Sequence, residues 1–485
     1  MTKLSLQKYD DVFLRVICEP DIAYELRDKF TFKVPGYQYM PKYRSGYWDG
    51  NIRLFNAITG RIYTGLLEQI KEYAKASKYE ISIDPSYEST EFSIIEALEW
   101  LKTLDIPSKF TLREEQIKPF IYSVRNKRLL LLSPTGSGKS LIIYYIIRWF
   151  IAKGDKVLLI VPTTGLIHQM FNDFKDYGFD SDANCQKIYE GQTKAIIKPV
   201  TISTWQSIYN QPKNWFGSFG VAIGDEAHLY KADCLKKIME NLTNCPVKVG
   251  TTGTLDGTIT NKMVLEGLFG PIRSYTTTKE LMDAGTLSDL NIKAIVLSYP
   301  DQIRKSLAKQ TYHVEMDFLV RYEPRNRFIK NLALSLDGNT LLLFQYVDKH
   351  GKMLYDSFSC VKDRKVFFIH GGVDGEERDE IRKIVNRESN AIVVASYGTF
   401  SVGVNLPNLH NIITGHPAKS RIRVLQSIGR GVRKGDNKNS TTLYDIADNL
   451  IWKKWNNHTI KHFQERIKLY SKEKFNYKIY TVKVG

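Results

Sequence analysis

The sequence predicts an α/β protein: two tandem parallel sheets with helices on their faces, preceded by a small α+β domain. Three observations carry this. From residue 111 to about 290, apolar runs of strand length alternate with helical patterns. From about 291 to 485 the same alternation repeats. Residues 1–110 instead mix short alternating runs, such as DVFLRVIC, with helical ones, such as YTGLLEQIKEYAKASK. Strands buried on both faces read as continuous apolar stretches, and a helix after each one indicates parallel pairing. A chain of 485 residues is also too long for one core.

The first domain, 1–110, ends near IPSKF (106–110) and carries the aromatic, glycine-rich piece YRSGYWDGNIRLF (43–55). In the second, 111–290, the expected strands are RLLLLSP (128–134), KVLLIVP (156–162), VTIST (200–204), VAIGDE (221–226) and VKVGTTG (247–253). In the third, 291–485, they are TLLLFQY (340–346), KVFFIHG (365–371), AIVVAS (391–396), NIITG (411–415) and TTLYDI (441–446). The tail IWKKWNNHTIKHFQERIKLYSKEKF reads as a basic amphipathic helix packed on the third domain.

Composition narrows the function class. The net charge is +17, which favours a polyanionic partner such as nucleic acid; a soluble basic surface is the bland alternative. Lys and Arg number 15 against 16 Asp and Glu over residues 1–110, 25 against 20 over 111–320, and 29 against 16 over 321–485. The basic surface therefore belongs mostly to the last third. Five cysteines without C-x-x-C spacing argue against a disulfide scaffold and structural zinc. The start MTKLSLQKYDD has no apolar signal core, and the run LIIYYIIRWFIA (141–152) is too short to span a membrane. These features make the cytoplasm the expected location; a monomer is the working expectation, although nothing in the sequence fixes the oligomeric state.

Chemistry enters at SPTGSGKS (133–140), between an apolar strand and a helix. In such a turn Thr135, Gly136, Ser137 and Gly138 curl their backbone N–H groups around phosphate. Lys139 adds a point charge, Ser140 can hold Mg²⁺, and the helix N-terminus adds its dipole. Ser133 departs from the strict glycine of this pattern. The second constellation, IGDEAHLY (223–230), ends another apolar strand. Asp225 is placed to hold Mg²⁺ and Glu226 to orient and deprotonate a water; a solvated acidic turn is the bland alternative. The third, QSIGRGVRK (426–434), sets Arg430 and Arg433 three apart, as charge stabilisers for a phosphoryl group in transfer.

These three motifs together resemble the superfamily 2 helicases and translocases. The resemblance implies two RecA-like domains with ATP in the cleft between them, the arginines reaching across it. Other pieces fall in the family's order. FTLREEQ (110–116) is similar to the adenine-reading element, with Gln116 as its hydrogen-bonding residue. TTGT (251–254) resembles the linker that couples hydrolysis to movement, through Thr252 and Thr254, with Gly253 in place of alanine. FQYVDKH (344–350), FIHGG (368–372) and ASYGTFSVGVNLPNL (395–409) resemble elements of the second RecA-like domain. In the last, Gly403 and Asn405 fall at nucleotide contacts, Asn405 standing where many members have aspartate. His228 and Gln426 fall at positions that link the nucleotide to movement; a core histidine is the alternative for His228.

VPTTGLIHQM (161–170) and STWQS (203–207) occupy the places of contacts to a nucleic-acid backbone. Thr163, Thr204, His370 and Ser396 have the hydroxyl and ring chemistry for phosphate contact. Pro162, Trp205 and Phe400 fit a core as well as a nucleic-acid surface. The flanks RSGYWDGNIRLF and EKFNYKIYTVKV, with the total length, resemble the UvsW-type recombination helicases of T-even-like phages. Ala227 stands where that type carries cysteine. This likeness implies an ATP- and Mg²⁺-dependent motor on branched DNA, acting in branch migration, fork reversal, Holliday-type junction resolution and R-loop unwinding, with other recombination or replication proteins as further partners. Tyr43, Arg44, Tyr47, Trp48 and Arg53 could stack on DNA or fill a small core. Three rivals stay open: an RNA helicase, an ATP-regulated strand-annealing protein, and a restriction-type translocase subunit.

Overall fold

The computed structural model describes residues 3–87, 92–110, 112–255, 259–399, 406, 408–417, 429 and 440–485. The chain divides into two compact units: Met1–Ser133 with Gly138–Tyr275, and Thr276–Gly485 with the short stretch Pro134–Ser137.

The first unit opens with a small mixed sheet. β1 (Lys3–Lys8) pairs antiparallel with β2 (Phe13–Ile17). A two-stranded ribbon, β3 (Thr31–Lys33) against β4 (Asn51–Arg53), branches from it. β5 (Arg61–Tyr63) and β6 (Glu80–Ile83) complete the sheet in the order β5-β2-β1-β6. Leu4, Leu6, Leu14 and Val16 alternate inward along the first two strands, the period expected of a one-sided sheet.

The larger sheet of this unit is all parallel. Its strands are β7 (Arg128–Leu132), β8 (Val157–Val161), β9 (Cys185–Ile188), β10 (Val200–Thr204), β11 (Val221–Gly224), β12 (Val247–Thr252) and β13 (Ile272–Arg273). They run in the order β13-β7-β12-β11-β8-β10-β9. All five residues of β8 and all six of β12 are buried, so both faces are covered. Leu129, Leu131, Leu159 and Ile223 face one core, with the helices Glu114–Asn126, Lys139–Ala152 and Thr164–Asp176. Leu130, Leu158, Ile160 and Ala222 face the other, and that core is continuous with the apolar residues of the N-terminal sheet. The N-terminal domain thus covers part of the first parallel sheet as a helix layer would.

Several contacts hold it there, among them the following. Lys248 Nζ, buried in β12, donates to the carbonyls of Asp11 (2.6 Å) and Leu242 (3.0 Å). Tyr63 Oη donates to Glu240 at 2.7 Å. Gly65 lies so close to the helix Ile259–Phe269 that a Cβ there would collide with the carbonyl oxygens of Glu266 and Gly267.

The second unit holds another seven-stranded parallel sheet. Its strands are β14 (Asp289–Ser298), β15 (Thr340–Phe344), β16 (Val366–Ile369), β17 (Ile392–Ser396), β18 (Asn411–Thr414), β19 (Ser440–Asn449) and β20 (Asn476–Lys483), in the order β16-β17-β15-β18-β19-β14-β20. Two buried ion pairs pin helices to β19: Arg325 Nε to Asp448 and Arg466 Nε to Asp445, at 2.8 and 2.9 Å. The basic tail is a helix only over His458–Lys472; the chain then returns as β20 beside β14. Among the described residues, no helix is long and apolar enough to cross a membrane.

Candidate functional site

The sheet order of the first unit lines up the motif residues. In a parallel sheet every strand ends at the same edge, where open α/β sheets bind ligands. Read along that edge, β7 leads into Ser133–Ser140, β12 into Thr252–Thr254, β11 into Asp225–His228, β8 into Thr163, and β10 ends at Thr204. Sequence order scatters these segments over more than a hundred residues; pairing sets them side by side.

The turn after β7 has the form its glycines require. Gly136 and Gly138 take φ of +86° and +82°, in the region where only glycine is at ease. A Cβ on Gly138 would run into the side-chain amide of Gln116, which is buried against the turn. Gln116 is oriented by the backbone of the residue that caps its helix: its Oε1 accepts from Arg113 N–H at 3.0 Å at the start of the helix Glu114–Asn126. Ser137 is buried, and Thr135 and Ser140 are half-buried. Lys139 opens the helix Lys139–Ala152; its Nζ donates to Ser133 O at 3.2 Å and lies 3.4 Å from Glu226.

The acidic pair sits opposite. Asp225 is buried, and its Oδ1 accepts from Thr251 Oγ1 at 2.5 Å. Burial, and then the Glu226 carboxylate beside it, push the Asp225 carboxyl up to about 6; Lys139 opposes them. Glu226 adopts left-handed backbone, φ +49°, ψ +47°, unusual for a side chain of its size. The Tyr230 hydroxyl holds this turn through the carbonyls of Ile160 (2.6 Å) and Asp225 (2.5 Å). From Glu226 a chain of contacts runs onward. His228 Nδ1 is 3.4 Å from Glu226 Oε2 and 2.7 Å from Thr252 Oγ1; Thr252 Oγ1 in turn donates to Thr254 O at 2.8 Å. Gly253 N–H points at Glu226 Oε2, 3.4 Å away.

The nucleic-acid candidates divide between the units. Thr163 caps the helix Thr164–Asp176, its Oγ1 accepting from Leu166 N–H at 3.4 Å. Thr204 is buried and shares a hydrogen bond with Ser207 at 2.9 Å. In the second unit Ser396 repeats that arrangement, buried and bonded to Thr399 at 2.8 Å. His370 follows the neighbouring strand β16; its Nδ1 accepts from Gly372 N–H at 3.1 Å. Pro162 is buried and Trp205 packs half-buried against the first core. Phe400, Gly403, Asn405, Gln426, Arg430 and Arg433 lie outside the described residues.

Sequence reasoning missed Thr251 and Tyr230. Thr251 sits one residue before the motif positions that drew notice. Its role depends on β11 and β12 pairing with Gly224 opposite Gly250, which sets Asp225 beside Thr251. Tyr230 stands at the end of the quoted IGDEAHLY, where nothing local marks its hydroxyl as a lock on the turn.

The donor set suits a nucleotide with a divalent cation. Ser140 and the buried Asp225 carry the hard oxygen donors that such a cation would need, and Lys139 and the glycine turn have the form of a phosphate cradle.

Family models match three stretches of the chain: "DNA helicase UvsW, N-terminal" over residues 2–84, "Type III restriction enzyme, res subunit" over 94–257, and "Helicase conserved C-terminal domain" over 324–435. The chain is 37% identical over 500 residues to the ATP-dependent DNA helicase uvsW of Enterobacteria phage T4, with 98% of each covered. It is 24% identical over 367 residues to the DNA 3'-5' translocase XPB2 of Sulfurisphaera tokodaii, covering 68% of this chain and 80% of that one. Among solved structures, the crystal structure of T4 UvsW aligns with a TM-score of 0.53 and 35% identity over 99% of both chains.

Proposed function

The chain belongs to the UvsW family of ATP-dependent DNA helicases, and from that premise we propose that it uses ATP hydrolysis to move on branched DNA, migrating junctions and unwinding their arms. Its two parallel sheets are the tandem RecA-like domains of a helicase core. We take the working domains as 1–110, 111–290 and 291–485.

The observation that carries the reading is the cluster of Lys139, Asp225 and Glu226 at one sheet edge, with Lys139 Nζ 3.4 Å from Glu226. In this reading the N–H groups of Thr135–Lys139 bind the phosphates and Gln116 reads the adenine. Lys139 exchanges its Glu226 contact for a phosphate oxygen. Ser140 and Asp225 would hold Mg²⁺, which would supply neutralising charge to the phosphates. Glu226 accepts the proton of the attacking water as its oxygen bonds to the γ-phosphorus and the bond to the leaving ADP breaks. Arg430 and Arg433 meet the charge that develops, and Gly403 and Asn405 add nucleotide contacts. The contacts from Glu226 through His228 and Thr252 to Thr254 support a coupling role for those residues, with Gln426 as a further member. Thr163, Thr204, His370 and Ser396 then line the path of the DNA backbone.

The test is ATP turnover without nucleic acid, then with single-stranded DNA, duplex DNA, a four-way junction and an RNA–DNA hybrid at one salt concentration. Strongest stimulation by the junction supports the proposal. Stimulation by RNA alone overturns the choice of substrate. Turnover that no nucleic acid stimulates favours an annealing protein with ATP as regulator.

A further inference from the structure

Between β3 and β4 the chain makes an excursion whose surface does not fit a passive loop. Residues 37–48, YQYMPKYRSGYW, contain four tyrosines, a methionine and a tryptophan. Tyr39 is 73% exposed, Tyr47 90%, Tyr43 36% and Met40 37%. Aromatic side chains dominate burial energetics, so several held together in solvent mark a surface with a partner.

The display is built. Tyr37–Tyr39 form a 3₁₀ turn and Pro41–Arg44 a single helical turn. Backbone bonds from Met40 N–H to Tyr37 O (3.0 Å), Arg44 N–H to Met40 O (3.1 Å) and Gly46 N–H to Tyr43 O (3.0 Å) fix the path. Arg44 Nε closes back on Gln38 O at 3.3 Å, and Tyr37 meets Tyr43 edge-on with ring centres 4.7 Å apart. At the base, Trp48 Nε1 donates to Asn51 O at 2.8 Å, and Phe32 pairs with Ile52 across the ribbon. Trp48 is thus an anchor, while Tyr39 and Tyr47 point away from any core.

Charge selects the partner. Lys33, Lys42 and Arg44 are exposed on this lobe. Its one carboxylate, Asp49, is engaged by Arg53. Exposed rings among cations, with no free carboxylate beside them, match a strand whose bases are unstacked and whose phosphates are negative. Along its length a fully paired duplex offers phosphates but no open base faces; only its two ends do. The sheet beside the lobe is joined to the first parallel sheet through Gly65, Tyr63 and Lys248.

We propose that the exposed lobe 33–49 is a binding site for unpaired bases at a DNA branch, Tyr39 and Tyr47 stacking on the bases while Lys33, Lys42 and Arg44 contact the flanking phosphates. It rests on the DNA-motor reading above and adds where the branch itself is recognised. Rings carried on the same compact unit as Lys139 and Glu226 would hold the separated strands near the motor as it advances.

The experiment compares the full chain with its Y39A/Y47A and Y39F/Y47F variants. Affinity is measured by fluorescence anisotropy for a fork with single-stranded arms and for a blunt duplex of the same length. The alanine pair should weaken fork binding on the order of tenfold or more and leave duplex binding within about twofold, since each base–ring stack contributes strongly to single-strand affinity. The phenylalanine pair should bind the fork as the unaltered chain does, because stacking needs the ring and not the hydroxyl. An unchanged melting temperature in both variants ties the effect to the surface. Equal losses on fork and duplex, no loss on either, or a phenylalanine pair as weak as the alanine pair would overturn the proposal. If DNA stimulates turnover of the unaltered chain while the alanine pair binds the fork normally, the lobe assignment fails and the motor reading stands. If no nucleic acid stimulates turnover, both fail.

Discussion

Thr251 Oγ1 donates to Asp225 Oδ1 at 2.5 Å, and this bond joins the strand of one motif to the acidic pair of another. It lowers the Asp225 carboxyl against burial and the neighbouring Glu226, which push it up. Without that donor a buried carboxylate would keep fewer partners and a weaker hold on its proton-free form.

Thr251→Val should therefore destabilise the first unit by about 1–3 kcal/mol, the cost of leaving a buried polar group short of a partner. The same change raises the Asp225 carboxyl further, so the acid limb of the pH–turnover profile should move to higher pH. Urea unfolding and turnover between pH 5 and 8 check both halves; an acid limb that stays in place would separate Asp225 from the nucleotide step.

Glu226→Gln keeps the size and the αL position of the side chain but removes its basicity. ATP binding should persist while turnover falls by roughly 10²-fold or more. Turnover close to that of the unaltered chain would assign the proton to another acceptor.

Gly138→Ala puts a methyl group into the Gln116 amide at a φ of +82°. Left-handed backbone costs alanine about 1–2 kcal/mol before any collision, so affinity for a non-hydrolysable ATP analogue should drop roughly tenfold or more. Isothermal titration measures it. Unchanged affinity would mean that the turn does not carry the phosphates.

Lys248 ties the N-terminal sheet to β12, and burial, followed by the nearby Arg128 charge, pushes its ammonium down to about 7. The unfolded chain holds that proton until its ordinary value of 10.5. Between these limits the unfolded state binds more protons, so stability should rise with pH from about 7 to about 10, by at most about 1.4 kcal/mol per unit. Below pH 7 both states are protonated and this contribution is flat. Lys248→Met should flatten the rise in denaturation midpoints measured at pH 7, 8 and 9; an identical slope in that variant would assign the dependence elsewhere.

The sequence by itself determined the strand-length apolar runs, the parallel class and the glycine turn with Lys139 and Ser140. All five expected strands of the 111–290 stretch are present, because a strand buried on both faces has to be apolar along its whole length. It also singled out Asp225 and Glu226, an adjacent carboxylate pair legible without any long-range information. Only the tertiary structure decided which strands are neighbours. The order β7-β12-β11-β8-β10 sets Thr251 against Asp225 and His228 against Thr252, relations that span 24 to 26 residues and leave no local pattern. Lys248 shows the same limit: a lysine in an apolar run reads as exposed, yet it is buried because it captures the Asp11 carbonyl, 237 residues away. The strand β20 was masked by the basic helical pattern before it, since its lysines sit on an exposed edge and only pairing with β14 makes it a strand. Local chemistry is written in neighbouring residues; adjacency across a sheet depends on long-range pairing, which is decided only when the whole chain closes on its cores.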